Sequence, residues 1–200
     1  MDIVQSVALA GGLAWASGMR LYAVLFTAGM LSRFGYLHLP ATLHVLENPL
    51  VLGVAGVMLT IEFLADKIPA VDSFWDSAQT FVRIPAGALL AALAMGDHDP
   101  ALMLAAGLLG GTLTAGTHAA KAGSRALINT SPEPFSNIAA SFGEEAAVAT
   151  GLFAAIHYPV VFLVLLGVFV LLLIWILPKL LRGAKLVFSR LFTRTSEGTW

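Results

Sequence analysis

KIPAVDSFWDSAQTFVRIP, residues 67–85, is a polar, patterned insert between hydrophobic runs. Its opening, Lys67-Ile68-Pro69, is nearly repeated at its close, Arg83-Ile84-Pro85. Val71, Phe74, Trp75, Ala78, Phe81 and Val82 recur at helical spacing, while Asp72, Ser73, Asp76, Gln79, Thr80 and Arg83 take the other face. The pattern predicts an amphipathic helix of about three turns starting after Pro69, with Asp72 as its N-cap. Each proline discourages helix at the residue before it, which sets both borders. The helix is expected to lie flat in the inner membrane interface, with Trp75 at headgroup level and Asp72 and Asp76 on a solvated face. A re-entrant hairpin is the sharper alternative.

Composition supplies the membrane. Of 200 residues, 58% are hydrophobic and 12% are charged, whereas a soluble domain carries about 25% charged residues. Several apolar runs reach the roughly 20 helical residues that cross a bilayer. The absence of cysteine excludes a disulfide framework and thiolate chemistry. A net charge of −1 leaves no electrostatic footprint for nucleic acid. The N-terminus does not read as a cleaved signal, because Asp2 stands in place of a basic region and the apolar stretch runs past Gly18.

The fold expected is an all-α integral membrane protein of about six transmembrane helices, over residues 3–31, 49–64, 84–95, 101–128, 137–156 and 159–181. The first and fourth are longer than a perpendicular span and should tilt or break. With the N-terminus in the cytoplasm, Lys67, Arg83, Arg125, Lys179, Arg182, Lys185, Arg190 and Arg194 fall inside, and only Arg33 falls in an outside loop. The turn Gly96-Asp97-His98-Asp99-Pro100, placed outside, is acidic. The positive-inside rule then favours both termini in the cytoplasm. The chain reads as one transmembrane domain, 1–182, followed by a basic cytoplasmic tail, 183–200. Leu186, Val187, Leu191 and Phe192 interleave with the tail's basic residues, as in an anchor on anionic lipid.

The halves 1–97 and 98–182 echo each other. Gly11-Gly12 then Ser17-Gly18 resembles Gly110-Gly111 then Ala115-Gly116. Basic or imidazole residues follow each (Arg20; His118 and Lys121), then a proline-bearing loop (Leu39-Pro40; Ser131-Pro132-Glu133-Pro134), then a helix with acids (Glu62 and Asp66; Glu144 and Glu145). Three helices per half make this an inverted repeat, the layout of many transporters. Small-residue motifs are also common where membrane helices pack, which is the competing explanation.

Ionisable residues inside a bilayer cost several kcal/mol unless paired or hydrated. Arg20 falls mid-helix in the first span. His118, Lys121 and Arg125 form one stripe of the fourth, Glu62 and Asp66 share a face of the second, and Glu144 and Glu145 lie in the fifth among small residues. These eight residues are the candidate substrate-binding set, with Arg20 expected to pair with Glu62. Static ion pairs that fix helix register are the plain alternative. His38, His44, His98 and His157 lie in or beside loops and carry no functional signal.

No H-E-x-x-H, nucleotide-binding glycine loop or Cys/His cluster occurs, so no cofactor is implied. Glu62-x-x-x-Asp66 and Asp72-x-x-x-Asp76 offer oxygen ligands for a divalent cation. Gly123-Ser124-Arg125 with Glu62-x-x-x-Asp66 resembles the integral-membrane polyprenyl-diphosphate phosphatases, which use a glutamate-rich motif and a Ser-Arg segment. Here no Pro-Gly precedes Ser124 and no second serine follows Arg125.

A broader set of motifs covers nearly the whole chain up to the tail. It runs Gly18-Met19-Arg20-Leu21-Tyr22, then residues 65–73 with Trp75-Asp76, then Arg83-Ile84-Pro85-Ala86-Gly87, then Lys121-Ala122-Gly123-Ser124-Arg125, then residues 129–134 with Asn137. This set resembles the DUF4126 family of bacterial integral membrane proteins. The resemblance implies a membrane location and no particular activity.

The residues themselves favour a small inner-membrane transporter. Arg20 and Lys121 would hold an anionic solute or lipid headgroup, and Glu62 or Glu144 would carry a proton or cation. A lipid-phosphate enzyme or flippase is the first alternative, and a structural or partner-binding membrane protein the second. Membrane lipid is the surrounding partner, and a thin bundle of 200 residues fits a homodimer.

Overall fold

A computed structural model describes the backbone of residues 1–129 and 135–196, with side chains for these except residues 69, 70 and 184–196. Six α-helices follow one another: α1 (Ile3–Arg33), α2 (Pro49–Ala65), α3 (Pro69–Ala94), α4 (Pro100–Ile128), α5 (Phe135–His157) and α6 (Pro159–Ser196). A 3₁₀ helix, Ala41–Glu47, precedes α2. Among the described residues there is no strand. Four stretches are long and apolar enough to cross a bilayer: Ile3–Arg33, Val71–Ala94, Pro100–Ile128 and Pro159–Gly183. The 3₁₀ helix and α2, bent by 65°, make a fifth candidate. The expected loop 131–134 and the side chains of the amphipathic tail, including Lys185, Arg190 and Arg194, lie outside the described residues.

Local chemistry sets the helix starts. Asp2 and Gln5 form a reciprocal capping box on α1. Asn48 caps α2 through the Leu50 amide at 2.9 Å, and Asp99 caps α4 through the Ala101 amide at 2.7 Å. Pro49, Pro69, Pro100 and Pro159 each open a helix, where a missing N–H costs nothing.

The first helix is not a span of 31 residues. Arg20 leaves helical geometry (φ −146°, ψ 81°), and the chain doubles back there. Ser6 Oγ lies 2.9 Å from His98 Nε2, and Thr42 Oγ1 donates to the Leu93 carbonyl at 2.6 Å. Arg33, just before Thr42, donates to the Glu47 carbonyl at 3.0 Å. Both ends of α1 therefore sit at the α3–α4 turn, whereas a straight helix would hold Ser6 and Arg33 about 40 Å apart. At the bend, Tyr22 reaches Gln79 on α3 at 3.0 Å. The two arms, before and after Arg20, form a helical hairpin with its tip inside the bundle. The expectation that this helix tilts or breaks is met by a complete reversal.

That reversal changes the topology. Residues 1–97 begin and end at one end of the bundle. Residues 98–182 begin there and finish at the other end, where the Leu180 side chain packs near Gly123 and Leu127 packs near Gly183. The halves are not three-helix copies of opposite direction, and the N-terminus and residue 183 lie at opposite ends. The glycine-rich echo has a packing cause instead. A Cβ on Gly18 would meet the Thr114 carbonyl and Thr117, one on Gly87 would meet Thr114, and one on Gly110 would meet Ala91. These glycines let α1, α3 and α4 approach closely, as small residues do in membrane bundles.

The opening stretch is corrected as well. Residues 70–83 are not a separate interfacial helix but the first half of α3, which continues through Pro85. Its polar face turns inward: Asp72 and Arg83 are fully buried and Asp76 is 3% exposed. Phe74 and Phe81 face outward, at 75% and 84% exposure. In a bilayer the exterior is the apolar solvent, so an amphipathic helix can belong to the bundle with its charges inside.

Candidate functional site

The tip of the α1 hairpin lies in a buried layer of charge. Arg20 is 1% exposed. Its Nη2 is 2.6 Å from Asp66 Oδ2 and 3.4 Å from Glu145 Oε1, and it donates to Ser141 Oγ at 2.8 Å. Breaking the helix at Arg20 also frees the Met19 carbonyl, which accepts from Lys121 Nζ at 3.2 Å. The same ammonium lies 3.4 Å from Asp66, 3.3 Å from Asp76 and 3.7 Å from Glu144. Non-helical backbone at membrane depth is tolerated where other groups satisfy it, and Lys121 does so here.

Two further arginines complete the layer. Arg83 donates to Glu62 at 2.5 Å and to Asp76 at 2.8 Å, with its guanidinium 3.3 Å from His118 Nδ1. Thr80 Oγ1 sits 2.7 Å from the other imidazole nitrogen of His118. Arg125 grips Glu144 in a fork, Nε to Oε1 at 2.9 Å and Nη2 to Oε2 at 3.0 Å, the geometry that favours arginine over lysine. Its Nη1 donates to the Asn137 side chain and carbonyl, and Asn137 Nδ2 donates to the Asp66 carbonyl at 2.9 Å.

All eight residues singled out from the sequence meet in this layer, but the pairing differs. Arg20 pairs with Asp66, and the partner of Glu62 is Arg83. One helical turn beyond Glu62, Asp66 caps the end of α2 at the level of the hairpin tip. Asp72 and Asp76, read as a solvated face, are buried members of the site. Arg83, Asn137 and Ser141 were not among the expected residues. Arg83 carried a usable signal, since it follows Glu62 by one short turn and a helix and precedes a proline inside an apolar run. Asn137 carried a signal only as part of the family motif set, and Ser141 carried none, because uncharged polar residues are common in membrane helices. Ser124, the residue behind the phosphatase resemblance, bonds the Lys121 carbonyl of its own helix at 2.8 Å. Its hydroxyl is thus committed to backbone, which weakens a nucleophilic role.

Two clefts reach the layer from different directions. The first, about 360 Å³, runs between α1, α2 and α5 from Arg20 and Glu145 past Thr60 and Thr27 to Leu152. By register along α1 it extends toward the N-terminal end of the bundle. The second, about 420 Å³, runs between α3, α4 and α6 from Thr80 and His118 past Asp76 to Arg125 and Leu181. It extends toward the opposite end.

A family model, described as Domain of unknown function (DUF4126), matches residues 7–179. The chain belongs to that family. The matched region holds the whole charged layer, from Arg20 to Glu145, and stops short of the basic tail. No curated protein and no solved structure matches the chain.

Proposed function

We propose that this protein is a small transporter that moves an anionic solute across a bacterial cytoplasmic membrane in exchange for, or together with, a proton or cation. The observation that carries the reading is the charged layer at the tip of a helical hairpin, lying between a cleft toward each end of the bundle. Broken helices whose freed backbone faces a charged site are the usual substrate and ion sites of secondary transporters. Arg20 and Lys121 supply the positive charge for the anion. Each shares Asp66, so an anion arriving at Arg20 releases a carboxylate that a proton can neutralise. Glu62 and Glu144 are held by Arg83 and Arg125, which makes them the fixed walls of the site rather than its carriers.

Charge sets the orientation. Lys67, Lys179 and Arg182 lie toward the end that holds residue 183, while Arg33 lies at the N-terminal end beside the acidic Asp2, Glu47, Asp97 and Asp99. The positive-inside rule then favours an N-terminus outside and residue 183 in the cytoplasm. The apolar wall of the first cleft, with Phe63, Val148 and Leu152, favours an amphiphile with an anionic headgroup as a second choice of cargo.

Flux through proteoliposomes tests the reading. Vesicles loaded with a pH-sensitive dye are challenged with inorganic phosphate, short carboxylates or a lysophospholipid under an inward proton gradient. At least one anion should move protons faster than in empty vesicles, and Arg20→Gln should reduce that rate at least tenfold. Folded, reconstituted protein that gives no anion-dependent signal across the panel would count against transport.

A further inference from the structure

We propose that Asp66, Asp72 and Asp76 form a binding site for a hard divalent cation, calcium in preference to magnesium, with the Lys121 ammonium as its internal competitor. One carboxylate oxygen from each of the three lies within 4.8 Å of the other two. Asp66 and Asp72 are fully buried and Asp76 is 3% exposed. The ligands come from the end of α2 and from two positions one turn apart on α3, so the α2–α3 turn closes the site from below.

Unmet bonding at Asp72 is what points to a ligand. Its Oδ2 accepts from Asn129 Nδ2 at 3.1 Å, but its Oδ1 is buried without a hydrogen-bond partner. Asp76 Oδ2 is in the same state. Every other carboxylate of the layer has a cation within 4 Å: Glu62 has Arg83, Asp66 has Arg20 and Lys121, Asp76 has Arg83 and Lys121, Glu144 has Arg125, and Glu145 has Arg20 and Lys67. Among the described residues Asp72 forms no such pair. Six carboxylates thus face five cationic side chains. Leaving a charged oxygen buried and unpaired is costly.

The chemistry of the ligands selects the ion. All ligands are carboxylate oxygens, which suit hard cations and not soft ones. Calcium takes about six to eight oxygens in flexible geometry, with carboxylates mono- or bidentate, so it can use both oxygens of these buried side chains. Magnesium demands near-ideal octahedral geometry and keeps several of its waters, which a dry cluster of three carboxylates suits less well. Lys121 brings one charge to two of the three carboxylates; a divalent ion brings two charges to all three. Its arrival displaces the ammonium toward Glu144 and the Met19 carbonyl, which it already approaches. The site thereby links ion occupancy to the tip of the α1 hairpin. It goes beyond the transport reading and stands without it.

Binding is measured on the full-length protein in detergent after chelation, with no transport readout. Calcium chloride at a hundredfold excess over its Kd should raise the Tm by about 5–10 °C, and magnesium should be less effective at equal concentration. Terbium should luminesce through Trp75, which lies within one turn of Asp72 and Asp76, and calcium should displace it. Asp72→Asn should weaken both responses at least tenfold, while Asp97→Asn, at the other end of the bundle, should leave them intact. Should Asp72→Asn fail to fold, Trp75→Phe decides: losing the calcium-displaceable terbium signal supports the site, and keeping it places the ion elsewhere. A Tm that responds to pH but not to calcium would make a proton the missing cation and overturn the proposal.

Discussion

Arg83→Met should leave little folded protein. Arg83 is fully buried and is the sole ion-pair partner of Glu62 among the described residues. It also holds Asp76. Removing it strands Glu62 at mid-bundle and leaves Asp76 to Lys121 alone, and breaking a buried pair from one side costs roughly 3–5 kcal/mol. Thermal unfolding in detergent should show a large fall in Tm, or no monodisperse peak at all. The double variant Arg83→Met, Glu62→Leu should recover much of the loss, because an apolar pair of similar volume is often no worse than a buried ion pair. Asp76 keeps Lys121 at 3.3 Å in that background. A single variant as stable as the wild type would mean that water or another cation reaches Glu62.

Arg20→Met should behave differently, with a smaller loss of stability and a near-complete loss of function. Its partners have substitutes: Asp66 retains Lys121, and Glu145 retains Lys67 at 3.7 Å. The carboxylates are therefore not abandoned, and the fall in stability should stay below that of Arg83→Met. A double-mutant cycle with Asp66→Leu should give a coupling of about 1–3 kcal/mol, in the range for residues in contact. The cycle with Glu62→Leu should give less, since Glu62 answers to Arg83. Function should fall at least tenfold in the proteoliposome assay, and the double variant Arg20→Met, Asp66→Leu should fold without regaining it. Regained flux would show that Arg20 serves assembly alone.

The sequence carried the cast of the site better than its arrangement. Arg20, Glu62, Lys121 and Glu144 stood out because charge inside an apolar run is expensive wherever it falls, and that cost is visible without coordinates. Pairing was not visible. Glu62 and Asp66 lie one turn apart, so either would suit Arg20, and only the position of the hairpin tip chooses Asp66. The fold-back at Arg20 was hidden because both arms of α1 are equally apolar, no proline stands at the bend, and the turn-prone pair Ser17-Gly18 just before it reads equally well as a packing motif. Asp72 and Asp76 were misplaced for a physical reason. An amphipathic helix in water hides its apolar face, but in lipid it hides its charges, and composition alone does not say which medium each face meets. Pro85 likewise read as a border, yet a single proline inside a helix removes one hydrogen bond. The ion pair of Arg83 with Glu62 ties α3 to α2 beside that position.

Water access to the charged layer from both sides is the claim on which the account turns. The chain contains no cysteine, so single cysteines can be introduced without further engineering. Thr27→Cys lies in the cleft toward the N-terminal end and Ser77→Cys in the cleft toward the other. In sealed vesicles of known orientation, a membrane-impermeant thiol reagent should label Thr27→Cys only from the outside and Ser77→Cys only from the cytoplasmic side. Failure of both positions to react from either side, while a cysteine at Asp97 labels readily, would show that lipid or protein seals the layer and would contradict the account.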